Sequence, residues 1–354
     1  MKRFKNILVV VNRGSSNKAL IERAVTLGQR NRARLTVVVV IKKARMPLRA
    51  EPPVVSKEPI INIIEEFPCD TPVPVTSKTQ EDFQEQIPVT IEEFPMDVQE
   101  QIIQEEKRDL EQIVASIQQA DVPVSSKLLY GSPFLEIIRE VLRGGYDLVM
   151  ITAEGRSGFK EALLGSTSMH LMRQCPCPVW VTKPDQPKQL KHILAAVDPT
   201  PPDEERSPIN IQILDLATSL AYRDHCELHI LHTWSFPLES HVRSGRVHVS
   251  QNSIDEWGRG ARDKHKRSLG ELLKLYDLEN LMHQVYLLKG EAASLIPALA
   301  AAKDVELIVM GTVSRTGISG LLIGNTAEKV LRQVDCSVLT VKPEGFITPV
   351  KLDA

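Results

Sequence analysis

The chain has 354 residues, 42% of them hydrophobic and 25% charged, a globular composition that excludes a wholly disordered or fibrous chain. Lys+Arg 43 against Asp+Glu 45 leaves a net charge of -2, and aromatics make up only 5%. There is thus neither a general phosphate-gripping field nor a platform for stacking bases, and no nucleic-acid partner is expected. The longest apolar runs, Ile7–Val11 and Val37–Ile41, fall far short of the about 20 residues a membrane span needs. The basic start is followed by too short an apolar stretch for a leader, and five cysteines form no disulfide framework. The expectation is a cytoplasmic, reduced protein without a membrane partner.

The predicted elements open with an apolar strand, Ile7–Val11, and a polar loop. A helix follows over Asn17–Arg30, with Ala19, Leu20, Ala24, Leu27 and Gly28 as its buried stripe. The second strand is Leu35–Ile41. An acidic, Pro-rich stretch then leads through a helix to a short strand, Lys127–Tyr130, a further helix and a buried strand, Leu148–Thr152. A Gly-containing loop, a helix and a last strand, Val179–Thr182, complete the unit.

The same order returns. Lys5–Asn12 reappears as Lys191–Asp198 at an offset of 186, and Tyr146–Ile151 as Val305–Met310 at an offset of 159. Arg156-Ser157-Gly158 matches Arg315-Thr316-Gly317, and Lys183-Pro184 closes the first copy as Lys342-Pro343 closes the second. The second set of elements is a strand at Ile193–Val197, a helix at Pro208–Tyr222, and strands at Cys226–His232, Val285–Lys289, Leu307–Gly311 and Val338–Val341. The expected domains are 1–184 with an insert at about 45–105, 188–344, and a C-terminal tail, 345–354, with a Pro-containing linker between the copies. The insert echoes itself: Ile64-Glu65-Glu66-Phe67-Pro68 returns as Ile91-Glu92-Glu93-Phe94-Pro95, 27 residues later. Its acidity and prolines predict a surface excursion of irregular backbone, either tolerated or docking a protein partner.

Apolar strands alternating with helices predict an α/β fold, two tandem doubly wound open parallel sheets of the Rossmann-like kind. Such sheets bind ligands beyond the carboxyl ends of their strands, so the loops after the first and fourth strands are the candidate site. After the fourth strand the first copy offers Thr152, Gly155, Arg156, Gly165, Ser166 and Thr167; the second offers Gly311, Ser314, Arg315, Gly324, Asn325 and Thr326. Glycines admit a close ligand, the Gly-Ser/Asn-Thr step opens a helix whose free N–H groups suit phosphate, and an arginine adds charge. The same residues also serve turns and helix caps. Asn12 and Asp198 follow the two first strands.

This arrangement resembles the universal stress protein family in its tandem form. The resemblance implies adenine nucleotide alpha hydrolase-like domains that pair through their last strands, here as an intramolecular pseudo-dimer, with a further homodimer left open. It implies ATP or another adenine nucleotide as ligand, with magnesium accompanying it. Nucleotide-binding members carry Gly-x2-Gly-x9-Gly-Ser/Thr after the fourth strand and an Asp after the first. Gly155, Gly165 and Ser166 fit in the first copy, where Thr152 replaces the first Gly and Asn12 the Asp. Gly311, Gly324 and Asp198 fit in the second, where Ser314 and Asn325 depart, and Asp198 weighs toward that copy as the nucleotide site. The expected function is stress-response binding and regulation. The alternatives are a weak nucleotide hydrolase, or a carrier or sensor of an apolar or acyl ligand.

No catalytic nucleophile or base stands out, and no protein-bound metal is expected. Cys226, His229 and His232 invite a metal reading, but strand alternation turns Cys226 and His232 one way and His229 the other. Cys175-Pro176-Cys177 is read as structural, and the basic run Arg259–Arg267 as a solvated helix face.

Overall fold

The computed structural model describes residues 4–12, 17–42, 91, 94–153, 165–199, 207–236, 250–312 and 324–352. The first copy contributes β1 (Asn6–Val10), α1 (Lys18–Asn31), β2 (Arg34–Ile41), α2 (Met96–Gln118), β3 (Val124–Tyr130), α3 (Pro133–Gly144), β4 (Leu148–Thr152), α4 (Ser166–Gln174) and β5 (Val179–Thr182). The second contributes β6 (His192–Ala196), α5 (Ser207–Asp224), β7 (Glu227–Trp234), α6 (Gln251–Leu273), β8 (His283–Lys289), α7 (Ala292–Ala302), β9 (Leu307–Gly311), α8 (Asn325–Gln333) and β10 (Ser337–Val341). The sheet has the order β3-β2-β1-β4-β5-β10-β9-β6-β7-β8. Each half thus has the doubly wound order 3-2-1-4-5, with every pairing inside a half parallel.

The strands are apolar on both faces because helices cover both. Ile7, Val9 and Val11 join one core with Leu20 and Ala24 of α1 and Ile117 of α2, while Leu8 and Val10 join the other with Ile137 of α3 and Leu171 of α4. A carboxylate at the start of the fourth strand anchors the first strand in each half. Asp147 accepts from the backbone N–H groups of Lys5 at 2.6 Å and Asn6 at 3.1 Å, and Glu306 accepts from those of Lys191 and His192. Positive backbone angles recur as well: Gly131 (φ 136°) and Gly290 (φ 142°) hold the turns into α3 and α7, which side chains would strain.

The last strands join the copies. β5 and β10 pair antiparallel, Leu339 facing a fully buried Trp180, so the halves form one continuous sheet about a pseudo-twofold axis. Arg23, which the stripe read from the sequence does not include, is buried across this junction. Its guanidinium donates to Asp224 Oδ2 at 2.6 Å and to the Lys188 carbonyl at 2.8 Å, and lies 5.7 Å from the Trp180 ring centre. Ala19, placed in the stripe by spacing, is only half-buried.

Two expectations change. The third strands are longer than their apolar cores suggest, Val124–Tyr130 and His283–Lys289, because their early residues pair with β2 and β7 while remaining exposed on a sheet edge. The insert expected to be irregular ends in helix: from Met96 onward the chain is α2, whose buried Glu106, Leu110 and Ile117 make a helical stripe against β2 and β3. The duplicated stretch before it lies mostly outside the described residues.

Candidate functional site

In the first copy, β1 delivers Asn12 to the carboxyl edge of the sheet. Asn17, just before α1, clamps it there: Asn17 Oδ1 accepts from the Asn12 N–H at 3.3 Å and Asn17 Nδ2 donates to the Asn12 carbonyl at 3.0 Å. With the backbone held from behind, Asn12 Nδ2 is shielded from solvent and has no hydrogen-bond partner among the described residues. Asn12 borders a cavity of about 310 Å³. Its walls include Val39–Ile41 from β2, Ile102 and Glu106 from α2, Ile137 from α3 and Thr167 from the first turn of α4. Gly165 is the N-cap residue of α4, so the N–H groups of that turn, which have no partner within the helix, open on the same edge. Ser166 is exposed and Thr167 half-buried.

The arrangement can therefore hold a small molecule in a cleft of mixed lining, with Val39, Ile102 and Ile137 beside Asn12, Lys42 and Glu106 and a helix N-terminus at its rim. Asn12 and Thr167, chosen from the sequence, meet around this cavity. Asn17 and the wall from α2 were not anticipated. The α2 wall was masked by the acidic character of its segment, although Ile102, Glu106, Leu110, Ile113 and Ile117 keep helical spacing. Gly155, Arg156, Ser314 and Arg315 lie outside the described residues. Thr152, which stands where the resemblance expects glycine, is buried with its hydroxyl unpartnered among the described residues.

The second copy repeats the clamp with Asn210, whose Oδ1 accepts from the Asp198 N–H at 2.9 Å and whose Nδ2 donates to the Asp198 carbonyl at 3.0 Å. The space beside it is furnished differently. By strand register His232 stands where Val39 stands in the first copy, and His265 of α6 reaches it. The two imidazoles are hydrogen-bonded at 2.8 Å, and His232 Nδ1 is 3.1 Å from the Val197 carbonyl and 4.0 Å from Asp198 Oδ1. The Trp234 ring lies 6.1 Å from that of His265, tilted by 35°.

Gly311 has a packing reason of its own, since a Cβ there would come within 2.7 Å of Ile209 Cδ1. Gly324 caps α8 and donates its N–H to the Thr312 carbonyl at 2.9 Å, while Asn325 and Thr326 are exposed on the first turn.

The other candidates divide as alternation implies. Cys226 packs in the core on one face with Leu228 and Ile230, and His229 faces the other, so Cys226, His229 and His232 do not converge. Cys175 and Cys177 are buried with their sulfurs 3.6 Å apart; that contact and burial push the Cys177 thiol well above its usual range, which suits an inert structural role. Arg259, Arg262, Lys264, Lys266 and Arg267 are exposed along α6, while His265 of that run turns inward to His232. No helix among the described residues is long and apolar enough to cross a membrane.

A model of the universal stress protein family matches residues 83–183 and 189–342. Universal stress protein E of Escherichia coli K12 is 32% identical over 240 residues, 66% of this chain and 73% of its own length. A solved protein of unknown function from Pseudomonas aeruginosa PAO1 shares the fold at 22% identity and a TM-score of 0.64, covering 97% of this chain and 94% of its own. A universal stress protein from Archaeoglobus fulgidus does so at 18% identity and a TM-score of 0.57, covering 95% and 98%. Two matched regions, one on each half of a sheet joined through β5 and β10, place the chain in the universal stress protein family as a tandem member.

Proposed function

We propose that this chain is a binding and regulatory protein of the stress response, and that its first copy holds an adenine nucleotide or a ligand of similar size. One observation carries the reading: the cavity at the carboxyl edge of β1 and β2, bordered by Asn12, whose Nδ2 has no partner among the described residues, by aliphatic side chains of β2, α2 and α3, by Glu106 and by the first turn of α4. Its volume of about 310 Å³ lies at the lower end of the range for small-molecule sites. The apolar residues suit a planar base, Asn12 Nδ2 would donate to a ring nitrogen or a ribose oxygen, and the α4 N-terminus would face phosphate. Magnesium would be held by the nucleotide's phosphates rather than by a protein cage.

Binding rather than turnover is the favoured reading, because among the described residues no group around the cavity is placed as a nucleophile with its base. The wall formed by Ile91, Phe94 and Ile102 favours the second reading, an apolar or acyl ligand, where the phosphate motif has been lost. Mass spectrometry of small molecules released from the purified full chain separates the two. An adenine nucleotide released from the native chain, and absent from an Asn12→Leu variant, supports the first reading. An acyl compound in its place supports the second. A chain that carries and takes up neither contradicts both.

A further inference from the structure

At the opposite, amino edge of the second half, three side chains converge that no part of the ligand pocket uses. His192 begins β6 and is paired in register with Glu227, the first residue of β7; His229 lies two residues further along β7 on the same face. One ligand atom from each of the three lies within 4.8 Å of the others. His192 Nδ1 is 3.3 Å from His229 Nε2 and 3.7 Å from Glu227 Oε2. Two ligands each about 2.05 Å from a tetrahedral ion stand roughly 3.3 Å apart, so these spacings already approximate a ligand set.

The surroundings fit as well. His229 is 1% exposed, and its other ring nitrogen, Nδ1, is 3.2 Å from the Tyr286 hydroxyl on β8. That hydroxyl donates to Gln284 Oε1, so it accepts from the His229 Nδ1–H. This fixes the tautomer and leaves the Nε2 lone pair aimed at His192 and Glu227, the role an outer partner plays around metal-bound histidine. Burial holds the His229 imidazole below its ordinary range, with His192 and Lys303 acting the same way and Glu227 opposing. The neutral ring is the form that binds metal. His192 and Glu227 are both partly exposed and border a cavity of about 390 Å³ at the ends of β6 and β7, which gives an ion a path from solvent. Glu306, the neighbouring carboxylate, is occupied by the backbone N–H groups of Lys191 and His192.

We propose that His192 Nδ1, His229 Nε2 and Glu227 form a site for one borderline divalent transition-metal ion, of which Zn²⁺ is the type. The fourth position is left to water, and Tyr286 acts as a positioning residue. Two imidazoles and one carboxylate suit Zn²⁺, Co²⁺, Ni²⁺ or Cu²⁺, and exclude a preference for Mg²⁺ or Ca²⁺, which take oxygen ligands. Standing on two adjacent strands, β6 and β7, the ligands are held rigidly, and ion and nucleotide would sit on different halves of the sheet.

The test uses the chelator-treated full chain titrated with Co²⁺ as the probe, followed by visible absorption and calorimetry, then by competition with Zn²⁺. The expected result is one Co²⁺ per chain with the strong visible bands of a low-symmetry site, displaced by Zn²⁺ and undisturbed by excess Mg²⁺. His192→Ala, at a partly exposed position that leaves the core intact, should abolish the bands, and Tyr286→Phe should weaken affinity roughly tenfold or more while keeping them. Absence of uptake at about 100 µM metal would reduce the trio to a hydrogen-bonded cluster and overturn the site. Binding equal in wild type and His192→Ala would place the metal elsewhere and overturn it equally.

Discussion

Lys342 shows how one residue at a repeat boundary ties its own copy to the other. Its ammonium is buried and donates to the carbonyls of Met172 at 2.7 Å and Arg173 at 3.1 Å, the last turn of α4 in the other copy, and to the Thr312 hydroxyl. The negative end of a helix suits a cation, but burial is the stronger influence and lowers the Lys342 pKa to about 8. In the unfolded chain a lysine titrates near 10.4, so between about pH 8 and pH 10 the unfolded state binds more protons and stability should rise with pH through this group. The buried Cys226 and Cys336 thiols, each pushed up to about 12, act oppositely above pH 9, so the comparison with Lys342→Met isolates the lysine. Urea denaturation at pH 7.5 and pH 10 should show wild type gaining on the variant as pH rises. An unchanged difference would mean the ammonium is solvated. Lys183, its repeat partner, instead pairs with Asp335 near the surface, a divergence that two identical Lys-Pro pairs do not reveal.

At the scale of elements, α1 and α5 cross the junction between the copies through charge rather than through apolar packing alone. Arg23 and Asp224 are 3% and 2% exposed, and Arg30 adds a second contact to Asp224 at 2.9 Å. Removing one partner of a buried pair leaves the other uncompensated, which costs about 3–5 kcal/mol. With Arg30 still facing Asp224, Arg23→Met should destabilise the chain by no more than about that amount, whereas Arg23→Met with Asp224→Leu should recover much of it; chemical denaturation of both variants checks this, and equal losses would show that the pair acts only by filling space. The strands and helices of both copies were legible from apolar runs and repeated motifs, because those patterns are local. Arg23 was not, since its burial depends on the junction formed by Trp180 and Asp224, residues 157 and 201 positions away. The cavity was half legible: Asn12 and Thr167 stand in motif positions, but Ile102 and Glu106 reach it from a segment whose composition reads as solvated surface.

At the scale of the whole molecule, the duplication has given one sheet two unlike ends of the same design. The same Asn clamp, the same strand order and the same Gly cap before α4 and α8 recur in both halves. Yet the first half has a cavity beside its clamp, where the second places the His232–His265 pair. On this account the copies have divided their work: the first retains room for a ligand, and the second contributes the paired strand, the junction and the buried histidines. The central claim is that the first copy binds, and calorimetric titration of the full chain with ATP and ADP tests it most directly. The account predicts one site per chain with a Kd of tens of micromolar or tighter, and at least a tenfold loss in Ile102→Trp, which fills the first-copy cavity and leaves the second copy untouched. No heat with either nucleotide at about 100 µM protein, or binding that Ile102→Trp leaves unchanged, would contradict it.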